Sequence, residues 1–427
     1  MKRTLQKVLA SGFLLFAISI GLSAQTRYKI VPLQNLGGTA GAGASINNRG
    51  WATGNSNLGG DEVTHAELWL NGTAFNPPNG LGTLGGPNSA VAWPVKNVTG
   101  MISGISETAE INPLGERFSC PSFFGTPRTG HSCQGFRWED GIMTALPTLG
   151  GFNSYATGAN NLGEIVGWAE NTVHDPSCVP PRQVLQFRAV MWDRNNNPHE
   201  LPPLPGKGST SAATAINDVG QAVGISGTCF VAVGSFSAAH AVIWVDGVPS
   251  EIPNFGGVAW NTPTAINNQG LVAGFSDFPG DGSGAPNFHA FLWTGSGPLI
   301  DLKTLGSDPF SAAFGLNEKG QVVGQSLDAD FNSRAFLWQN GQIIDLNALA
   351  LDGSPFLVFA NDINDRGEIA GQACFPDQCA AGITFAFIGV PVPGAPANAS
   401  KDRVMFHERI RNQSRRQLGL DIAGDKQ

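Results

Sequence analysis

A short module returns seven times along the chain, and a chain built this way cannot bury a core one copy at a time. Its first half reads Ala-Ile-Asn-x-x-Gly-x-x-x-Gly. The clearest copies are Ala215-Ile216-Asn217 with Gly220 and Gly224, and Ala265-Ile266-Asn267 with Gly270 and Gly274. Its second half reads His-Ala-x-x-Trp, as in His240 to Trp244 and His289 to Trp293. A Leu-Gly-Gly-like turn follows, as in Leu149-Gly150-Gly151. The module asparagine stands at Asn47, Asn97, Asn160, Asn217, Asn267, Asn317 and Asn364, so one copy takes about 50 residues.

The copy from Ser209 to Phe255 shows what one unit becomes. Ser211 to Ile216 alternates small and apolar residues, the pattern of a buried inner strand. Asn217-Asp218-Val219-Gly220 is a tight turn, because Asn and Gly tolerate left-handed backbone angles. Gln221 to Ile225 is a second strand, and Gly224 inside it signals close approach by a neighbouring backbone. A variable loop leads to a third strand, His240 to Val245, and Asp246-Gly247 turns into a fourth, Ser250 to Pro253. Four antiparallel strands per copy match a propeller blade.

Both ends of the array support a closed ring. Tyr28 to Leu33 followed by Leu36-Gly37-Gly38 reads as a fourth strand and its exit turn, with no first three strands before it. The last copy supplies three strands and stops near Pro391. The expected fold is an all-β, seven-bladed propeller over residues 25–394, with the N-terminal strand completing the last blade. Closure removes open sheet edges. An open β-solenoid is the rival and would not need that strand. Asn97-Val98-Thr99-Gly100 keeps its turn but loses the preceding Ile, which marks the second copy as degenerate.

Lys2, Arg3 and Lys7 precede an apolar run from Val8 to Leu22, and Ser23-Ala24 offers a cleavage site. Residues 1–24 read as a secretory signal, too short for a spanning helix. The mature chain is expected to be secreted or periplasmic and monomeric, with no membrane insertion. The net charge of −8 argues against nucleic acid, whose binding needs a basic stripe. Cys120, Cys133, Cys178, Cys229, Cys374 and Cys379 in an exported chain imply disulfides. Fifteen connectivities are open to six cysteines; the local pairs Cys120–Cys133 and Cys374–Cys379 would each close a short loop and leave Cys178 with Cys229. Residues 395–427 are richer in charge, with Arg409, Arg411, Arg415 and Arg416. Val404, Phe406, Ile410 and Leu418 could stripe a short helix there, although a flexible end is the default.

With these repeats quoted, the chain resembles the HAF family of extracellular repeat proteins; the family's name is visible in His289-Ala290-Phe291. The resemblance covers about residues 28–390 and implies a bacterial, exported protein. It carries no established activity, so no catalytic residue follows from it.

The repeated residues read as structure. Trp69, Trp138, Trp192, Trp244, Trp293 and Trp338 are expected to wedge between blades. His65, His240 and His289 stand where other copies have Gln134, Arg188, Arg334 and Phe385, which a metal ligand or general base would not tolerate. Function is expected on the face carrying loops after second and fourth strands, where nearly all irregular sequence and all six cysteines lie. Trp168, Trp260, Tyr155 and Phe310 are the candidate ligand contacts there, suited to stacking on sugar rings or peptide side chains; packing beneath loops is the alternative. Asp328, Asp330 and Asn332 open like a calcium loop but lack its glycine and distal glutamate. Asp277 and Asp281 flank a Gly-rich turn nearby.

Motifs for a Ser nucleophile elbow, a zinc protease helix or a phosphate loop are absent from the sequence. The leading expectation is a secreted, non-catalytic binding propeller for an extracellular glycan or protein, with no cofactor beyond weakly indicated calcium. The alternatives are a polysaccharide hydrolase or lyase using acidic loop residues, and a structural cell-surface component.

Overall fold

Each copy folds as the Ser209–Phe255 unit predicts. In that blade the strands are Thr210–Ile216, Ala222–Gly227, His240–Val245 and Val248–Ile252, paired antiparallel in that order. Seven such four-stranded sheets make a seven-bladed β-propeller; blades 1–7 carry the module asparagines in chain order. The structure is a computed structural model that describes residues 26–124, 128–229, 238–280, 286–394 and 404–418. The expected signal segment and Asp281 lie outside the described residues. Among the described residues there are four short helices, three between strands and one after the last: α1 (Cys120–Phe124), α2 (Leu346–Leu349), α3 (Pro376–Ala381) and α4 (Glu408–Gln417). None is long and apolar enough to cross a membrane.

The ring closes as the two termini of the array imply. Arg27–Pro32 pairs antiparallel with Phe385–Val392, setting Tyr28 against Pro391 and Val31 against Ile388. Arg27 is buried and donates from Nε to Leu349 O (2.9 Å) and from Nη2 to Ala350 O (2.6 Å). The closing strand is thus held by blade 6's exit as well as by blade 7's edge.

The module glycine in each second strand has a steric cause. A Cβ at Gly224 would collide with Ala212 O, and one at Gly274 with Thr262 O. The first strand swells here: the register slips by one between Ala213 and Ala215 and between Pro263 and Ala265. The bulged residues, Thr214 and Thr264, repair the ladder. The single hydroxyl proton of Thr214 is shared between Pro263 O (2.7 Å) in the next blade and Val223 O (3.1 Å) in its own. Thr264 bonds likewise to Ala273 O and Ala313 O. A defect that would orphan a buried carbonyl becomes a tie between blades.

The asparagines form a circuit. Each Oδ1 caps its own turn, as Asn267 accepts from Gln269 N and Leu271 N at 3.0 Å. Its Nδ2 donates to the next blade's asparagine carbonyl, Asn317 O at 3.1 Å. The same link runs from Asn47 to Asn97, Asn160 to Asn217, Asn217 to Asn267, Asn317 to Asn364 and Asn364 to Asn47. Degenerate blade 2 breaks it, since Asn97 Nδ2 turns back to Met101 O. There only the neighbouring link remains, Val98 N to Asn161 Oδ1 (2.8 Å), of the kind Asp218 N makes to Asn268 Oδ1 and Asp365 N to Asn48 Oδ1.

The tryptophans bind blades together. Trp69, Trp192 and Trp244 are fully buried, and their indole N–H groups donate to Gln34, Pro147 and Pro202 O in the preceding linkers. The histidines pair locally. His240 Nδ1 lies 2.6 Å from Glu251, His289 Nδ1 3.0 Å from Asp301, and Arg188 3.4 Å from Glu200. This equivalence explains why His and Arg exchange freely at that slot.

Candidate functional site

Blades 2, 3 and 4 carry the heaviest loops after their second strands. Blades 2 and 3 also lengthen those strands, Ile102–Ile111 and Ile165–His174, to ten residues each, against six in blade 4. The three disulfides are the pairs read from the sequence: Cys120–Cys133, Cys178–Cys229 and Cys374–Cys379. The second crosses from blade 3 to blade 4. Cys229 N also donates to Ser177 Oγ (3.1 Å), whose hydroxyl is held by Asp175 at 2.6 Å. Glu116 on the blade 2 loop accepts from Val184 N (2.7 Å) and Leu185 N (3.0 Å) of blade 3. Arg117 N reaches Pro181 O at 3.1 Å. The loops of blades 2 and 3 are thereby joined to each other and, through Cys229, to blade 4, forming one platform. Its outer surface exposes Ile111, Val173 and Val179, with Phe152 39 % exposed.

Beneath the platform sits a carboxyl pair. Glu170 accepts from Phe152 N, Asn153 N and Asn153 Nδ2, and Asn153 Nδ2 also lies 3.2 Å from Glu116. Burial, reinforced by the Glu116 charge, pushes the Glu170 carboxyl up to about 8. Both carboxyls are buried and committed to loop backbone. Their arrangement does the work of clamping blade 2 to blade 3. A further buried carboxyl, Glu67, occupies the slot that Phe136, Phe291 and Phe336 fill in other blades; burial raises it to about 8 as well.

Three of the four aromatic candidates lie under the loops. Trp168 is buried against Phe118 and Phe187, and Tyr155 meets Phe123 edge-on at 4.7 Å. Burial raises the Tyr155 phenol. Trp260 is buried beside Phe275, Phe314 and Leu418. Phe310 is half-buried in a stack, 5.4 Å from Phe288 and 5.6 Å from Phe331. These rings therefore support the loops and turn no free face to solvent, apart from the edge of the Phe310 stack. The physical reason is the slot. Trp168 directly follows the second-strand glycine, where Ile105, Ile225 and Phe275 are also buried.

The Asp328 loop is a self-closed turn. Asp328 Oδ1 accepts from Asp330 N (3.0 Å) and Asn332 N (2.9 Å), and Asn332 Nδ2 reaches Oδ2 at 3.0 Å. Asp277 is buried, and its Oδ1 accepts from Asn287 N at 3.0 Å. Among the described residues, no group of three or more His, Cys, Asp or Glu is placed to hold a metal ion.

The tail expected to be flexible is seated over residues 404–418. Helix α4 lies in the loop-side mouth of the channel, against the inner strands of blades 7 and 6. Phe406 and Ile410 enter a pocket with Phe356, Val358 and Cys379. Leu418 is buried with Ala259, Trp260 and Phe314. Between them Gln413 accepts from Gln372 Nε2 (3.0 Å), and Gln417 donates to Asn361 Oδ1 (2.6 Å). Ser414 meets Ser333 at 3.3 Å, and Arg415 lies 4.6 Å over Phe331. The apolar stripe was legible in sequence; its seat was not, because blades 1, 5, 6 and 7 all contribute.

The opposite mouth is an axial pit of about 90 Å³, lined by all seven turns. Asp218, Glu318 and Asp365 stand on its rim, but their carboxylates accept backbone N–H groups of Asn161, Asn268 and Glu318. Lys96 enters the channel where other copies have Ile. It donates to Leu316 O (2.9 Å) and Ile363 O (2.7 Å) and lies 2.6 Å from Asp362.

No protein-family model matches the chain, and no curated protein matches its sequence. Solved structures resemble the chain distantly. The Pyrococcus horikoshii acylaminoacyl peptidase is 10% identical with a TM-score of 0.46, over 87% of this chain and 53% of that one. This chain thus spans about half of that peptidase's length. The β-propeller domain of the Trilobed protease from Pyrococcus furiosus is 9% identical with a TM-score of 0.47, over 89% of this chain and 97% of that one. TolB from Acinetobacter baumannii is 12% identical with a TM-score of 0.35, over 70% of this chain and 65% of that one. These likenesses concern fold alone.

Proposed function

We propose that this chain is an exported, non-catalytic binding propeller of the HAF repeat type. Its ligand, a protein surface or an extended glycan, is held on the loop platform of blades 2, 3 and 4. One observation carries the reading: Glu116 and Arg117 join the blade 2 and blade 3 loops, and Cys178–Cys229 ties the blade 3 loop to blade 4. Fixing loops before binding lowers the entropy lost on capture. The exposed side chains on that platform, Ile111, Val173, Val179 and Phe152, give it apolar area that folding leaves unused. Disulfides of this kind persist in oxidising compartments, which fits export.

The experiment presents folded full chain to a glycan array and to purified cell-envelope proteins, beside Ile111→Asp and Val179→Asp variants. Binding that drops at least about tenfold in both variants, with unchanged melting, supports the platform. Equal binding by wild type and variants, or hydrolysis of a captured polysaccharide, sinks it.

A further inference from the structure

Helix α4 touches the ring as a ligand touches a receptor. Ile410, Ser414 and its C-cap Leu418 fall four apart along one side of it, and Phe406, in non-helical chain just before the N-cap His407, adds an apolar anchor at its start. Each end fills a separate pocket, and amide pairs fix the register between them. Arg409 ties the helix start to blade 1 through Thr39 O (3.1 Å) and to Gly382 O. This is the helix-in-groove mode of recognition, in which anchors at helical spacing enter a preformed cleft.

Two further observations separate this contact from ordinary core packing. The ring is complete without it, since Arg27–Pro32 already closes blade 7. The fit also leaves hydrogen-bonding capacity unused. Among the described residues, Gln372 Oε1 and Gln417 Oε1 are buried without protein partners, and so are both amide atoms of Gln325 at the equivalent position of blade 6. Each unmet buried group costs about 1–3 kcal/mol. Trp260, which walls the Leu418 pocket, holds a φ of 50°, a backbone state bulky residues rarely adopt outside functional sites.

We infer that the loop-side mouth is a docking groove for an amphipathic helix of a partner protein, and that α4 is its resident competitor. The fitting partner carries apolar residues at the first, fifth and thirteenth positions and basic residues beside them. A donor facing Gln372 Oε1 would give it a hydrogen bond the resident helix does not make. The inference does not depend on the platform of blades 2–4, which is a different surface.

The probe is a fluorescent synthetic peptide of residues 404–418. It is titrated against the wild-type full chain and against the full-length Ile410→Asp/Leu418→Asp variant, whose own helix cannot seat. A second variant, Phe406→Ser/Leu418→Ser, covers the case in which the aspartates disturb folding; near-UV circular dichroism checks each. Saturable binding to the released variants, on the order of tenfold or more weaker for wild type, is expected because the tethered helix competes at high local concentration. Absence of binding to a folded released variant overturns the inference. So does equal binding to all three proteins, which would place the peptide elsewhere.

Discussion

Lys96 Nζ and Asp362 Oδ1 meet at 2.6 Å inside the channel, and each is an exception to the repeat at its own position. Lys96 stands where Ile46, Ile216, Ile266 and Ile363 stand in other blades; Asp362 stands where Gly158, Ala215, Ala265 and Gly315 do. Asp362 is fully buried and also accepts from Ser45 Oγ and Ile46 N at 2.9 Å. Two departures from one repeat therefore compensate each other.

Lys96→Ile leaves the Asp362 charge buried without its cation, and the chain should lose about 3 kcal/mol. Adding Asp362→Ala restores the repeat's own pair of residues and should recover most of that loss. Urea unfolding of both singles and the double measures the coupling. A double no better than Lys96→Ile would show that the ion pair is not what Asp362 needs.

Asn267→Ala removes two turn caps and one inter-blade bond together, at a cost of about 2 kcal/mol. Asn97→Ala should cost about half as much, because Asn97 Nδ2 bonds only within its own blade. Chemical denaturation ranks the two, and the reverse order would remove the inter-blade link from the account.

Glu67 sets a pH dependence. Its carboxyl rises from 4.5 to about 8 in the fold because burial disfavours the charge. The folded state then holds a proton that the unfolded state has lost, so this contribution is complete below pH about 4.5 and disappears as pH rises through about 8. Glu67→Gln should match wild type near pH 5 and exceed it by on the order of 3 kcal/mol near pH 9. Melting curves across that range test it; parallel curves would mean Glu67 does not titrate as described.

Cys178→Ser with Cys229→Ser opens a crosslink spanning 51 residues. The chain-entropy account gives a loss of about 4 kcal/mol. Hydrogen exchange should quicken in the loops of blades 3 and 4 and remain slow in blade 6. Uniform quickening would show that the crosslink holds the whole ring and not the platform.

The ring was legible because its evidence is local and repeated. Gly224 inside a strand announced a close backbone, and the Tyr28–Leu33 run announced a strand without a sheet. The site was less legible. Trp168 and Trp260 looked like contacts because a single sequence shows chemistry, not the direction a side chain faces. Aligning Trp168 with Ile105, Ile225 and Phe275 carried part of the missing signal, because those residues are buried, but the same slot holds Gln325 and Gln372 in blades 6 and 7, so the slot alone does not mark core. Lys96 in an isoleucine slot was likewise visible, but its partner, on another blade, could be known only from the fold. The groove under α4 left no contiguous trace, because its walls come from blades at both ends of the chain.

Joining blade 7 through Arg27–Pro32 also sets an order in time. Of the described strands, the first made is the last to find its neighbours, because Phe385–Val392 is made after the others. Throughout synthesis the nascent chain carries one unmatched strand at its head and a growing stack of open sheets behind it. A chain interrupted before blade 7 keeps both edges bare and offers them to any other strand nearby. The completed ring is thus a record that translation reached its final blade.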